Sequence, residues 1–156
     1  MVPDVDELAD GDPVEVARTN ARLKADAVEG PSVLAVDTIV VLDGKIHGKP
    51  RDEAHARTML KTLSGREHRV ISGLALRHDG ATQVIDAQTQ VTFRNVAPLL
   101  DWYLATGEWQ ERAGGYAIQG RGAAFVSAIA GDYLNVVGLP VAALLDLWPW
   151  VLDRAR

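Results

Sequence analysis

The spacing of apolar positions changes several times along the chain, and each change predicts an element. Residues 32–42, Ser-Val-Leu-Ala-Val-Asp-Thr-Ile-Val-Val-Leu, form a dense β-branched run, the pattern of a strand covered on both faces. Asp43-Gly44 then reads as a two-residue hairpin turn that returns the chain through Lys45-Ile46-His47. Upstream, Asp12-Pro13-Val14-Glu15 has the composition of a helix start: an Asx cap, proline at the first helical position and glutamate three residues after the cap. That helix is expected to run to about Val28, with Gly30-Pro31 beyond its end. A second helix is expected after Asp52, with Ala56, Met59, Leu60 and Leu63 as its apolar stripe and Gly65 as its stop. Strands over residues 67–77 and 83–94 join at His78-Asp79-Gly80; the second has no clean apolar face, so its register stays open. A third helix is predicted over residues 98–105 and a strand over 123–130. A turn at Gly131-Asp132 follows, then a last helix that Pro140 opens and Pro149 kinks or ends. The first ten residues are acidic and read as extended. Helices and strands alternate without repeats, which predicts one α/β domain with helices packed on a mixed sheet.

Composition narrows the function. The 156 residues carry 21 acidic and 16 basic side chains, a net charge of −5. No basic stripe is visible, which argues against binding nucleic acid through its phosphates. A small anionic ligand stays compatible, because a few lysines in one pocket act locally against the global sign. The absence of cysteine removes disulfides and thiol nucleophiles. No apolar run approaches a membrane span, and the acidic N-terminus is unlike a signal peptide; the expected location is cytoplasmic, away from membranes.

Three positions draw attention as chemistry. Asp37 sits in the middle of Val-Leu-Ala-Val-Asp-Thr-Ile-Val-Val, where an ionised carboxylate costs desolvation unless it is paired, hydrogen-bonded or bound to a cation. Two readings stand: a side chain turned to a partner or to solvent, and a metal ligand or general base on a rigid strand. Lys49 lies in Gly48-Lys49-Pro50, a turn that defines its reach, although a lysine in a turn is commonly just solvated. The stretch 113–122 is rich in glycine but lacks the Walker spacing; within it Gln119 offers both donor and acceptor to the edge of a base. His47, His55, His68 and His78 are scattered without metal-ligand spacing and read as surface residues.

Six segments resemble the Maf family, also called septum-formation proteins. They are Val36-Asp37-Thr38-Ile39-Val40-Val41, Gly48-Lys49-Pro50-Arg51-Asp52, Leu63-Ser64-Gly65-Arg66-Glu67-His68, Thr106-Gly107-Glu108-Trp109, Gly114-Gly115-Tyr116-Ala117-Ile118-Gln119-Gly120 and Asn135-Val136-Val137-Gly138-Leu139-Pro140. Their order and spacing match as well. The resemblance implies an α/β fold related to inosine triphosphatases, with a mixed sheet flanked by helices and two lobes around a central cleft. It implies a nucleoside triphosphate pyrophosphatase that uses a divalent cation, Mg2+ or Mn2+, and forms a homodimer. The Gly-Tyr-Ala-Ile-Gln-Gly stretch looks like the subfamily acting on dTTP and UTP.

Position by position, the resemblance makes Asp37 the central acidic residue, for metal binding or water activation, with Glu7 near the metal. Lys49 and Gln119 match residues associated with activity and substrate choice. Lys24 matches a helix lysine facing the phosphates, and Thr38 and Arg66 fall in supporting, substrate-contacting positions. Family members begin with a strand and a Ser-x-Ser-Pro-Arg-Arg loop ahead of the segment matched by Val5-Asp6-Glu7. About thirty residues of that pattern have no counterpart here, so residues 1–156 are expected to be one Maf-like domain shortened at its N-terminus. Two rivals accompany this expectation: a nucleotide-binding regulator of cell division without catalysis, and a purine-type enzyme acting on 7-methyl-GTP or inosine triphosphate.

Overall fold

The computed structural model describes residues 3–149 and 151. The first two residues of the acidic lead, and the end of the domain expected to run to 156, lie outside the described residues. Asp12 caps helix α1 (Pro13–Asp26), its carboxylate accepting the backbone N–H groups of Val14 and Glu15 at 3.1 Å each. The helix ends two residues before the expected Val28. Its buried side is Val16, Ala17, Asn20, Ala21 and Ala25. These side chains are small, and they let the helix lie close to the sheet.

Strand β1 (Ser32–Leu42) has the expected bounds, and Asp43 and Gly44, both with positive φ, turn it into β2 (Lys45–His47). A second turn of the same kind at Asp79 and Gly80 joins β3 (Glu67–His78) to β4 (Ala81–Phe93). With β5 (Val126–Ala130) these make one sheet, in the order β2-β1-β3-β4-β5. The α/β class and the helix-flanked sheet are as expected, and every ladder among the described residues is antiparallel. The register left open in the sequence is fixed by Asp37 opposite Gly73 and Gly73 opposite Asp86.

Alternation along β1 divides the core. Ile39 and Val41 pack with Ile71 and Ala17 under α1. Val40 and Leu42 face the larger core on the other side, with Val70, Val91 and Phe93. That core is closed by α2 (Glu53–Leu63), capped by Asp52 as expected, and by the short α3 (Leu100–Leu104), which a 3-10 turn over Ala97–Leu99 introduces.

Three expectations need adjusting. The strand predicted from residue 123 begins at Val126, because Arg121–Phe125 form a 3-10 turn whose first two N–H groups are taken by the Glu108 carboxylate rather than by a ladder. The turn at Gly131-Asp132 runs into an unforeseen helix, α4 (Tyr133–Val137), with Asp132 accepting the Leu134 N–H. His68 is 2% exposed and belongs to the core, not the surface. The last helix, α5 (Val141–Leu147), starts after Pro140 and stops before Pro149. Among the described residues no helix is long and apolar enough to cross a membrane.

β3 pairs with β1 along residues 32–41, whereas β2 pairs only with 40–42. Among the described residues, the β2-side edge of β1 is therefore open over 32–39. Asp37 lies on that edge.

Candidate active site

A cavity of about 840 Å3 opens at this edge of β1. Glu7, Asn20 and Lys24 line one wall; His55, Glu111, Arg112 and Gln119 line the facing wall, with Lys49 beside them. Residues 36–40 of β1 run between the two, and Val136, Val137 and Gly138 at the end of α4 complete the lining.

The first wall depends on how closely α1 lies on the sheet. A Cβ at Gly73 would overlap the backbone carbonyl of Ala17, so the absent side chain opposite Asp37 is what lets the helix settle there. Asn20 and Lys24, four residues apart on one face of α1, then reach Asp37. Asn20 donates from Nδ2 to Asp37 Oδ2 at 3.2 Å, and Lys24 Nζ donates to Oδ1 at 2.5 Å. Lys24 also pairs with Glu7 Oε1 at 2.9 Å. Glu7 is held in place because the Asn20 amide clasps the backbone of Leu8, accepting its N–H at 2.7 Å and donating to its carbonyl at 3.0 Å.

Asp37 is only 5% exposed, and the Lys24 side chain 14%. Asp37 is therefore buried and partnered, not turned to solvent. Burial alone would lower the Lys24 pKa, but the hydrogen bonds and negative charges of Asp37 and Glu7 outweigh it and hold the pKa above the ordinary 10.5. One ammonium serving two carboxylates leaves the cluster with surplus negative charge.

The facing wall is built from loops. Lys49 follows β2 and pairs with Glu111 at 3.0 Å. The Gly114 N–H donates to the Gly48 carbonyl at 3.0 Å, tying the glycine-rich loop to the lysine loop. Gly114 has φ of 69° and lies against Val40, where a Cβ would crowd the valine side chain. Gln119 is exposed and lines the cavity. Behind it, Tyr116 is hydrogen-bonded through its hydroxyl to His68 Nε2 at 2.8 Å. Burial first, and the neighbouring His47 second, lower the His68 pKa to about 4.

The cavity thus brings together Glu7, Lys24, Asp37, Thr38, Lys49 and Gln119. Thr38 lines it partly exposed and shares a hydrogen bond with Ser72 at 2.8 Å. Arg66 is not brought there. Its guanidinium holds Asp43 at the β1–β2 turn, at 2.7 and 2.8 Å, and it is absent from the lining.

Sequence reasoning missed Asn20, Glu108 and Asn135. Asn20 had a visible signal, a polar residue between Ala17 and Ala21 in the apolar stripe of α1, four positions before Lys24. Asn135 seats α4 by donating from Nδ2 to the Val70 carbonyl at 3.2 Å and to Thr89 Oγ1 at 3.0 Å, contacts no local pattern announces. His47 and His55, read as surface residues, are half-buried and line the cavity. Among the described residues no group of three or more His, Cys, Asp or Glu is placed to hold a metal; Asp37 and Glu7 share the Lys24 ammonium.

These features define an α/β protein whose helix-flanked sheet opens, at one strand edge, into a cavity of opposed carboxylates and ammonium groups. The family model for Maf-like proteins matches residues 1–149, and the chain belongs to that family. It is 45% identical over 150 residues to the dTTP/UTP pyrophosphatase of Pyrococcus abyssi, covering 92% of this chain and 80% of the relative. The dTTP/UTP pyrophosphatase of Symbiobacterium thermophilum is 47% identical over 150 residues, 90% of this chain and 76% of that one. That of Anaeromyxobacter sp. is 50% identical over 133 residues, 81% of this chain and 65% of the relative.

Proposed function

We propose that this cavity hydrolyses a pyrimidine nucleoside triphosphate, dTTP or UTP, to its monophosphate and pyrophosphate. The observation that carries the reading is the Glu7–Lys24–Asp37 cluster in one cavity with Lys49 and Gln119. The relatives named for this activity support it.

In the reaction a water oxygen bonds to the α-phosphorus, and the bond to the oxygen bridging the α- and β-phosphates breaks. The water's proton passes to Asp37 as general base, and pyrophosphate departs with the bridging oxygen. Lys24 and Lys49 approach the phosphates from opposite walls and stabilise the charge that builds on their oxygens. Thr38, next to Asp37 in β1 but pointing to the other face of the strand, offers its hydroxyl from that side. Gln119 reads the base: once a bound nucleotide covers this exposed amide, a wrong base that leaves it without a partner costs about 1–3 kcal/mol.

A divalent cation fits the cluster. Two carboxylates already converge on a single ammonium with negative charge to spare, and Mg2+ asks for one or two carboxylates, completing its shell with water and substrate phosphates. Asp37 and Glu7 would hold it, and when bound it neutralises phosphate charge and acidifies water.

The test is pyrophosphate release by the purified chain with magnesium or manganese, from UTP, dTTP, ATP and GTP. UTP and dTTP are expected to turn over faster than the purines. Equal rates on all four would remove the pyrimidine assignment. A rise in melting temperature with UTP but no pyrophosphate would leave a binding protein instead.

A further inference from the structure

The segment Thr106-Gly107-Glu108-Trp109 has no part in the chemistry above, yet Glu108 makes a specific contact. Its carboxylate accepts the backbone N–H of Arg121 at Oε2 and that of Gly122 at Oε1, both at 2.9 Å. Hydrogen bonds to an ionised acceptor are among the stronger ones in proteins. Two glycines make room for this grip. A Cβ at Gly120 would come within 2.7 Å of Glu108 Oε2, and a Cβ at Gly122 within 2.6 Å of the Ala117 carbonyl.

Glu108 is itself anchored. Its own N–H donates to Thr106 Oγ1 at 3.2 Å, and that hydroxyl donates to the Tyr103 carbonyl at 2.6 Å. The adjoining Trp109 is buried and donates from Nε1 to the Leu104 carbonyl at 3.2 Å. The segment carrying Gln119 is therefore held on both flanks, by Tyr116 on His68 before it and by Arg121 and Gly122 on Glu108 after it.

We propose that Glu108 is a positioning residue for base selection, fixing the Gln119 carboxamide in the cavity by gripping the backbone just beyond it. The inference rests on reading the cavity as a pyrimidine triphosphate site. Uracil presents a carbonyl at C4 and a donor at N3; cytosine presents an amine and a bare N3. The Gln119 amide reads that edge only from within hydrogen-bonding reach, and the backbone held by Glu108 sets where it stands. Loosening the grip on Arg121 and Gly122 lets the amide drift out of reach of the uracil edge, so UTP loses its advantage over CTP. The Asp37–Lys24 pair, on the opposite wall, is left in place.

Two variants test this with kcat and KM measured for UTP and CTP in magnesium. Glu108→Gln keeps the shape but turns an amide N–H toward one of the backbone N–H groups. Gly120→Ala leaves Glu108 intact and drives a methyl group into its carboxylate; Gly120 has φ of −159°, which alanine adopts freely. In both, the UTP-to-CTP ratio of kcat/KM is expected to fall about tenfold, through a higher KM for UTP, with kcat held within about twofold. If Glu108→Gln fails to fold, Gly120→Ala decides. Wild-type turnover of UTP with the ratio retained in the variants overturns the inference alone, making Glu108 a brace for the fold. A wild-type chain that turns over no triphosphate removes the reading of the cavity, and this inference with it.

Discussion

On the α1 side of the cavity, Asp37, Asn20 and Lys24 project from a strand and a helix, and each is bonded to at least one of the others. On the opposite side Lys49 and Gln119 stand on loops, and the Lys49 side chain is 57% exposed. The Lys24–Asp37 contact is shielded from water, whereas the Lys49–Glu111 contact is not, with Glu111 83% exposed. Coulombic interactions weaken severalfold between a protein interior and bulk water. The same pairing of ammonium and carboxylate is therefore a fixed feature on one wall and an adjustable one on the other. Bond-making chemistry tolerates little displacement and belongs on rigid elements; a substrate must enter and leave past the other wall, which loops allow.

The largest expected effect is at Asp37. Asp37→Asn would remove the proposed base and one proposed metal ligand together, and pyrophosphate release from UTP is expected to fall about a thousandfold or more. The fold is expected to survive, because Lys24 keeps Glu7 and Asn20 keeps its clasp on Leu8. Turnover within about tenfold of wild type, in a variant that melts normally, would place the base elsewhere.

The elements of the rigid wall were legible in the sequence, although Asn20 was missed and Lys24 and Glu7 came from the resemblance. A charge in a β-branched run singled out Asp37, and the Asp-Pro-Val-Glu start and the Asp-Gly turns placed α1, β1 and β2, since caps and two-residue hairpins are written in adjacent residues. Local pattern carried nothing of the contacts that close over long separations. Glu108 meets backbone N–H groups thirteen and fourteen positions on, and His68 meets Tyr116 across forty-eight. The late start of β5 follows from the first of these. Reading His68 as a surface residue failed on the second, since histidine has no fixed preference for inside or outside.

His68 gives the loop wall a pH dependence. In the unfolded chain its imidazole titrates near 6.5, and in the folded protein near 4. Folding therefore favours the neutral ring. The contribution is complete above pH 6.5 and is lost as pH falls from there through about 4, by about 3 kcal/mol in all. Denaturant midpoints of wild type and His68→Gln, compared at pH 7 and pH 4, isolate it from the carboxylates common to both. Wild type is expected to lose about 2–3 kcal/mol more than the variant. Parallel losses would mean that the ring protonates in the folded protein without cost. For Lys24 the sign is opposite: its raised pKa contributes stability that is complete below 10.5 and lost only as pH climbs through the higher folded value.

The smallest effect is expected at Lys49, and it sharpens the contrast between the walls most directly. Exposed ion pairs contribute about 0–1 kcal/mol, so Lys49→Ala should change stability by less than about 0.5 kcal/mol despite losing Glu111. Its proposed work is on the substrate, where a triphosphate brings several negative charges. KM for UTP is expected to rise about tenfold in low salt, with a smaller change in kcat. The difference from wild type should shrink as salt is raised, because an exposed charge is screened over about 10 Å at 0.1 M. A stability loss of several kcal/mol, or a KM defect that salt leaves untouched, would mean that Lys49 is held as firmly as Lys24 and that the two walls do not differ in kind.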